Sequence, residues 1–159
     1  MTPSRNAEFR YPKNLRFKCS RCTQCCGDVE TRIRHVLLFE KEAERISKLI
    51  SKPIETFACR IVGHEPYLYE MKKVKEGKCI FLEHKDCTVY ASRPLICRYY
   101  PFELKTDGNE ILLFSPTNEC PGIGIGEVLG ESYFSNLFRL ARRLFYRNGR
   151  QSFEDQLEG

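Results

Sequence analysis

A small single domain of the α+β class is what this sequence predicts, with short antiparallel strands and hairpins and two main helices around a cysteine-ligated metal site. Three observations predict it. The chain has 159 residues, 42% hydrophobic and 12% aromatic, which is the size and composition of one globular domain with a real core. Its apolar residues switch between alternation and helical spacing in short stretches, without repeats or a linker. Nine cysteines complete the picture, four of them within the eight residues Cys19-Ser-Arg-Cys22-Thr-Gln-Cys25-Cys26.

Taken in order, Thr31-Arg-Ile-Arg-His-Val36 alternates polar and apolar residues as a half-buried strand does. Ala43, Ile46, Leu49 and Ile50 fall at helical spacing and predict a helix over 40–50. Pro53 interrupts it, and a short second helix is expected over 54–58. Tyr67 to Val74 alternates again, Glu76-Gly77 reads as a turn, and Cys79-Ile-Phe-Leu82 completes an expected hairpin. Cys87 to Tyr90 reads as extended. Ser92 is an expected N-cap, with Pro94 in the first turn of a brief helix that Pro101 stops. Asp107-Gly108 between Phe102–Lys105 and Glu110–Phe114 signals a hairpin. The Gly122-Ile-Gly-Ile-Gly126 run lacks the spacing of a dinucleotide loop and reads as a bend into the longest helix, expected over 126–146. Phe134, Leu137, Phe138, Ala141, Leu144 and Phe145 give that helix a core-facing stripe, while Arg139, Arg143 and Arg147 line another face. The expected divisions are a basic arm over 1–18, the cysteine domain over 19–150 and a tail over 151–159.

The opening segment lacks the apolar core of a secretory signal, and no apolar run is long enough to cross a bilayer. A cytoplasmic location is therefore the expectation. Clustered thiols in a reducing compartment bind metal more often than they pair as disulfides. The odd total and the adjacent Cys25 and Cys26 argue the same way, because vicinal disulfides are strained.

Zinc takes four thiolates in a closed tetrahedral site, and a [4Fe–4S] cluster takes four as well, often three from a Cys-x2-Cys-x2-Cys run and one from elsewhere. Cys19, Cys22 and Cys25 have that run. Downstream, Cys79, Cys87, Cys97 and Cys120 are separated by seven, nine and twenty-two residues, so no second zinc knuckle exists and folding must gather these sulfurs. The spacing favours an iron–sulfur cluster, with zinc as the alternative. One four-cysteine site, or two, would use these donors. Arg93 and Arg98, flanking Cys97, are candidates to lie behind the ligands and balance thiolate charge. Cys59 follows Phe57-Ala58 and reads as a buried free thiol. His84 reads as part of an exposed turn, and His35 and His64 have no ligand-like spacing.

The order Cys19-x2-Cys22-x2-Cys25-Cys26, Gly77-Lys-Cys79-Ile-Phe-Leu82, Cys87-Thr-Val-Tyr90, Arg93-Pro94-x-x-Cys97-Arg98-Tyr99-x-Pro101-Phe102 and Cys120-Pro121-Gly122 resembles the CxxCxxCC, or YkgJ-type, family of zinc- or iron-chelating domains. The match spans 17 to about 125. The resemblance implies eight ligands: Cys19, Cys22, Cys25, Cys26, Cys79, Cys87, Cys97 and Cys120. Some relatives belong to a flagellin lysine methylase, but they carry more sequence than this chain, and that activity does not transfer.

Net charge is +5, and residues 1–21 account for all of it: Arg5, Arg10, Lys13, Arg16, Lys18 and Arg21 face only Glu8. Such a segment reads as a solvated tail that offsets a negative metal site, or as a surface for an acidic partner, a protein or a nucleic acid. The sequence has no phosphate loop, nucleophile elbow or His-Glu-x-x-His helix, so it assigns no enzyme reaction. The expected function is a metal-binding accessory module. The alternatives are an iron–sulfur redox or cluster-carrier protein and a metal-dependent enzyme.

Overall fold

The structure is a computed structural model and describes residues 7–106 and 111–154. In chain order its elements are β1 (Phe9–Arg10), β2 (Arg16–Phe17), β3 (Leu37–Leu38), α1 (Glu40–Ile50), β4 (Ala58–Arg60), β5 (Tyr69–Met71), β6 (Leu82–Glu83), β7 (Asp86–Cys87), α2 (Leu95–Tyr99), β8 (Phe102–Thr106), β9 (Leu112–Pro116), β10 (Ile123–Val128) and α3 (Glu131–Glu154). The fold is mixed α+β, with two main helices and several small, mostly antiparallel sheets. No helix among the described residues is long and apolar enough to cross a membrane. The chain divides into two compact units, Met1–Ser20 with Tyr99–Gly159, and Arg21–Arg98.

In the first unit β8 and β9 form the expected antiparallel hairpin, from Phe102 opposite Pro116 to Thr106 opposite Leu112, and β1 adds in parallel to β9. The Asp107-Gly108 turn lies outside the described residues. All six residues of the α3 stripe are buried. Phe134 packs against Phe114 and Phe102, with ring centroids 5.0 and 5.2 Å apart, and Phe138 lies tilted against Phe9 at 4.8 Å. Arg139 and Arg143 are exposed, and the side chain of Arg147 lies outside the described residues.

The glycine run does not lead into α3, as the sequence reading had it. It forms β10, which pairs with β2, and the helix starts only at Glu131. Gly124 and Gly126 adopt φ of +85° and +86°, angles that glycine takes without steric cost, and the pairing shifts register between Ile123 and Val128. Residues 9–10 and 16–17 of the expected basic arm thus contribute strands to this unit.

In the second unit β5 is the middle strand of a three-stranded antiparallel sheet, β3–β5–β4. α1 occupies Glu40–Ile50, the span predicted, and buries Ala43 and Ile46, whereas Leu49 stays exposed. These elements enclose a core that includes Leu38, Ile46, Phe57 and Met71, and Cys79, Cys87 and Cys97 pack against it. The turn at 54–58 is shorter than expected: a 3-10 turn covers Ile54–Thr56, and Ala58 already belongs to β4.

Two expected strand pairings are replaced. Residues 31–36 form no continuous strand, because the Arg34 N–H donates to Asp28 Oδ1 at 2.7 Å instead of a ladder partner. Cys79–Leu82 does not pair along Tyr67–Val74. The turn at Glu76-Gly77 is present, with Val74 N–H donating to the Lys78 carbonyl at 2.8 Å, but only a bridge joins Lys73 to Cys79 before the chain enters the β6–β7 hairpin.

Ser92 ends a 3-10 turn and caps nothing. The α2 start is capped by Glu42 of α1, whose Oε1 accepts the Leu95 N–H at 2.6 Å while Oε2 accepts the Phe39 N–H at 3.1 Å. Glu42 is 1% exposed and is the buried carboxylate on which α1 and α2 meet.

Candidate metal centre

The Cys19–Cys26 segment turns sharply because Arg21 and Thr23 both adopt left-handed backbone conformations, at φ 56° and 64°. A 3-10 turn, Gln24–Cys26, follows, closed by Cys26 N–H on the Thr23 carbonyl at 3.0 Å. Cys25 and Cys26 are half-buried, with sulfurs 3.9 Å apart, and Cys22 is exposed. The Cys79 N–H donates to the Cys26 carbonyl at 2.7 Å, and the Asp28 N–H to the Gly77 carbonyl at 2.9 Å, so the cysteine loop lies along residues 77–79. Gly27 is required there: a Cβ would come within 2.6 Å of the Gly77 carbonyl oxygen.

Cys87 ends β7 opposite Leu82, three residues beyond Cys79. Cys97 sits in α2, its N–H on the Pro94 carbonyl at 3.0 Å. Each pair among Cys25, Cys79, Cys87 and Cys97 is close enough for the charge of one thiol to act on the other. Cys25, Cys79 and Cys97 act in the same way on Cys26. Five thiols from three separate segments are thus gathered in this unit.

In the first unit, Cys19 follows β2 and Cys120 precedes the antiparallel β10. Both therefore lie at one end of that pair, where Lys18 N–H meets the Gly122 carbonyl at 3.1 Å. Cys59 is exposed on β4, not buried as the sequence suggested: alternation turns Ala58 inward and Cys59 outward. His84 lies in the exposed β6–β7 turn, and His35 pairs with Glu70 at 2.6 Å.

The thiols are not electrostatically alike. The hydrogen bond from Cys26, helped by Arg34 and Arg32, brings Cys25 down to about 6, and the same contact with burial drives Cys26 upward. Burial raises Cys79 and Cys87 and pushes Cys97 up to about 12. Buried thiols hold their protons until a cation displaces them, which makes metal uptake a proton-releasing step. Among the described residues no three His, Cys, Asp or Glu side chains are arranged to chelate an ion as they stand. A purely soft, sulfur donor set suits zinc or iron.

Sequence reasoning missed four side chains here: Arg34, Asp28, Lys73 and Met71. Arg34 lines a small cavity with Cys26, Cys79 and Met71. Its main chain is held by Asp28, which Lys73 grips at 2.8 and 3.0 Å. The Cys79 thiol donates to the Met71 thioether at 3.2 Å, sulfur to sulfur. Arg93 stacks on Tyr90 at 3.6 Å and donates to its carbonyl at 3.0 Å, while its charge reaches Cys87. Arg98 donates to the Arg93 and Ala91 carbonyls at 2.9 and 2.7 Å.

A domain rich in cysteine, gathered by short sheets and turns, is the class this architecture defines. The family CxxCxxCC, described as "Putative zinc- or iron-chelating domain", matches residues 18–120, and the chain belongs to this family. Two proteins of Methanocaldococcus jannaschii are similar to it. Uncharacterized protein MJ0661 is 27% identical over 146 residues, covering 87% of this chain and 76% of that protein. Uncharacterized protein MJ0939 is 23% identical over 153 residues and 92% of this chain, which spans only 50% of that protein. No solved structure matches the chain.

Proposed function

We propose that this protein is a metal-chelating module whose principal centre uses Cys25, Cys79, Cys87 and Cys97. The observation that carries this reading is how their segments meet: the Cys79 N–H donates to the Cys26 carbonyl at 2.7 Å, Cys87 lies opposite Leu82 in the β6–β7 hairpin, and Cys79, Cys87 and Cys97 pack against one core. Four thiolates satisfy either zinc or a [4Fe–4S] cluster. The cluster is the first reading and zinc the alternative; the Cys-x2-Cys-x2-Cys run favours the cluster to the extent that Cys19 and Cys22 join Cys25 as ligands. Cys19, Cys22, Cys26 and Cys120 complete the proposed set of eight, as further or exchanging ligands. Arg93 and Arg98 serve behind Cys87 and Cys97.

Anaerobic purification followed by metal and acid-labile sulfide analysis tests the reading. A brown protein with equimolar iron and sulfide supports the cluster, and a colourless protein with zinc supports the alternative. Serine at Cys25, Cys79, Cys87 or Cys97 abolishes the metal, while Cys59→Ser keeps it. Metal content unchanged in all four variants refutes the assignment.

The module's partner is an acidic protein or a nucleic acid met by the cationic N-terminal segment. Deleting that segment would also remove β1 and β2, so Arg10, Lys13 and Lys18 are better replaced by Gln. Salt-sensitive retention of nucleic acid that weakens in this triple variant supports the contact, and unchanged retention removes it. An iron–sulfur redox or carrier role is the second reading, favoured by the exposure of Cys19 and Cys22.

A further inference from the structure

Arg34 borders the thiols from a position that no spacing in the sequence marks. It shares one cavity with Cys26 and Cys79, and its guanidinium approaches the carbonyl of Ile96, the neighbour of Cys97, at 3.5 Å. It thus stands beside thiols from two segments and next to a third.

Its main chain is fixed from both sides. The Arg34 N–H donates to Asp28 Oδ1 at 2.7 Å, and the Arg34 carbonyl accepts from Lys73 Nζ at 3.2 Å. Lys73 also closes on both oxygens of Asp28. Asp28 and Lys73 balance each other, so this clamp fixes the place of Arg34 without adding net charge.

A centre of four thiolates around a divalent zinc, or around a [4Fe–4S] core, carries net negative charge, and cations held near the sulfurs stabilise it. We propose that Arg34, held by the Asp28–Lys73 clamp, is the positioning residue that balances the thiolate charge of the centre and so sets its affinity for metal. This rests on the chelation reading above. Arg34 supports the ligands and is not one of them.

The test is zinc affinity of the reduced, metal-free full chain, measured by chelator competition at low and high salt. Arg34→Gln weakens zinc binding about 10–100-fold at low salt, the loss typical of removing a group behind the ligands. Arg34→Lys, which keeps the charge, recovers part of that loss. The gap between wild type and Arg34→Gln narrows as salt screens the charge. Asp28→Asn, which cuts the clamp and keeps the guanidinium, shows a smaller loss in the same direction and serves if Arg34→Gln does not fold, as judged by circular dichroism.

Affinity equal to wild type in both Arg34→Gln and Asp28→Asn overturns the assignment. So does a loss that Arg34→Lys does not relieve and salt does not change, which would show a packing role. If the wild type itself takes up neither zinc nor iron, the chelation reading falls. If it binds and the variants match it, only the role of Arg34 falls.

Discussion

Glu42 shows how much one buried side chain can organise. Its two oxygens accept N–H groups from Phe39, the residue before α1, and Leu95, the first residue of α2. Burial raises its pKa above the ordinary 4.5, against the pull of those N–H groups and of Arg45 on α1 and Arg98 on α2, and its charge adds to the burial that raises the Tyr67 phenol. The folded state therefore binds the proton more tightly than the unfolded chain. Its contribution is fully present below the ordinary value and declines as pH rises through the raised one. Glu42→Gln should flatten this dependence, seen as a stability difference from wild type that changes across that window in urea melts at several pH values. Glu42→Ala leaves two buried donors unmet, and the expected loss is on the order of 3 kcal/mol. A loss below about 0.5 kcal/mol, the range of ordinary surface changes, would contradict the role. In the sequence Glu42 is one acid among several in an amphipathic helix. Its place at the third helical position was legible, but its reach to Leu95, 53 residues on, was not.

At the scale of elements, legibility followed local physics. α1 and the α3 stripe were readable because helical periodicity is written in neighbouring turns. The β8–β9 hairpin was readable from its turn residues. β10 was not, because a glycine-rich strand lacks the alternating side chains that announce one, and its partner β2 lies over a hundred residues earlier. The 31–36 stretch failed for the opposite reason: its alternation is good, but Asp28 takes a backbone donor. The cysteine pattern of the family was legible from residue type and spacing, whereas the places of Arg34 and Met71 were not, since only folding brings them to the sulfurs. Gly27 gives an element-scale prediction. Gly27→Ala pushes a methyl into the backbone at Gly77 and Lys78, parting the Cys26 loop from Cys79. Metal content per chain should fall well below wild type in purified protein, and full occupancy would contradict the contact.

For the whole molecule, stability in the Arg21–Arg98 unit comes from a small core that the thiols adjoin. Phe57 is 1% exposed and lies 5.4 Å, ring to ring, from Phe81. Phe57→Ala should cost about 3–5 kcal/mol by urea denaturation, as deletions of buried aromatic rings do. Because ligands bind the folded chain, loading zinc or iron should raise the melting temperature, and a chelator should return it to the metal-free value.

X-ray absorption at the edge of the metal that copurifies anaerobically tests the central claim most directly. Sulfur neighbours should dominate the first shell, at about 2.3 Å if the ion is zinc. A shell made only of nitrogen and oxygen would contradict it.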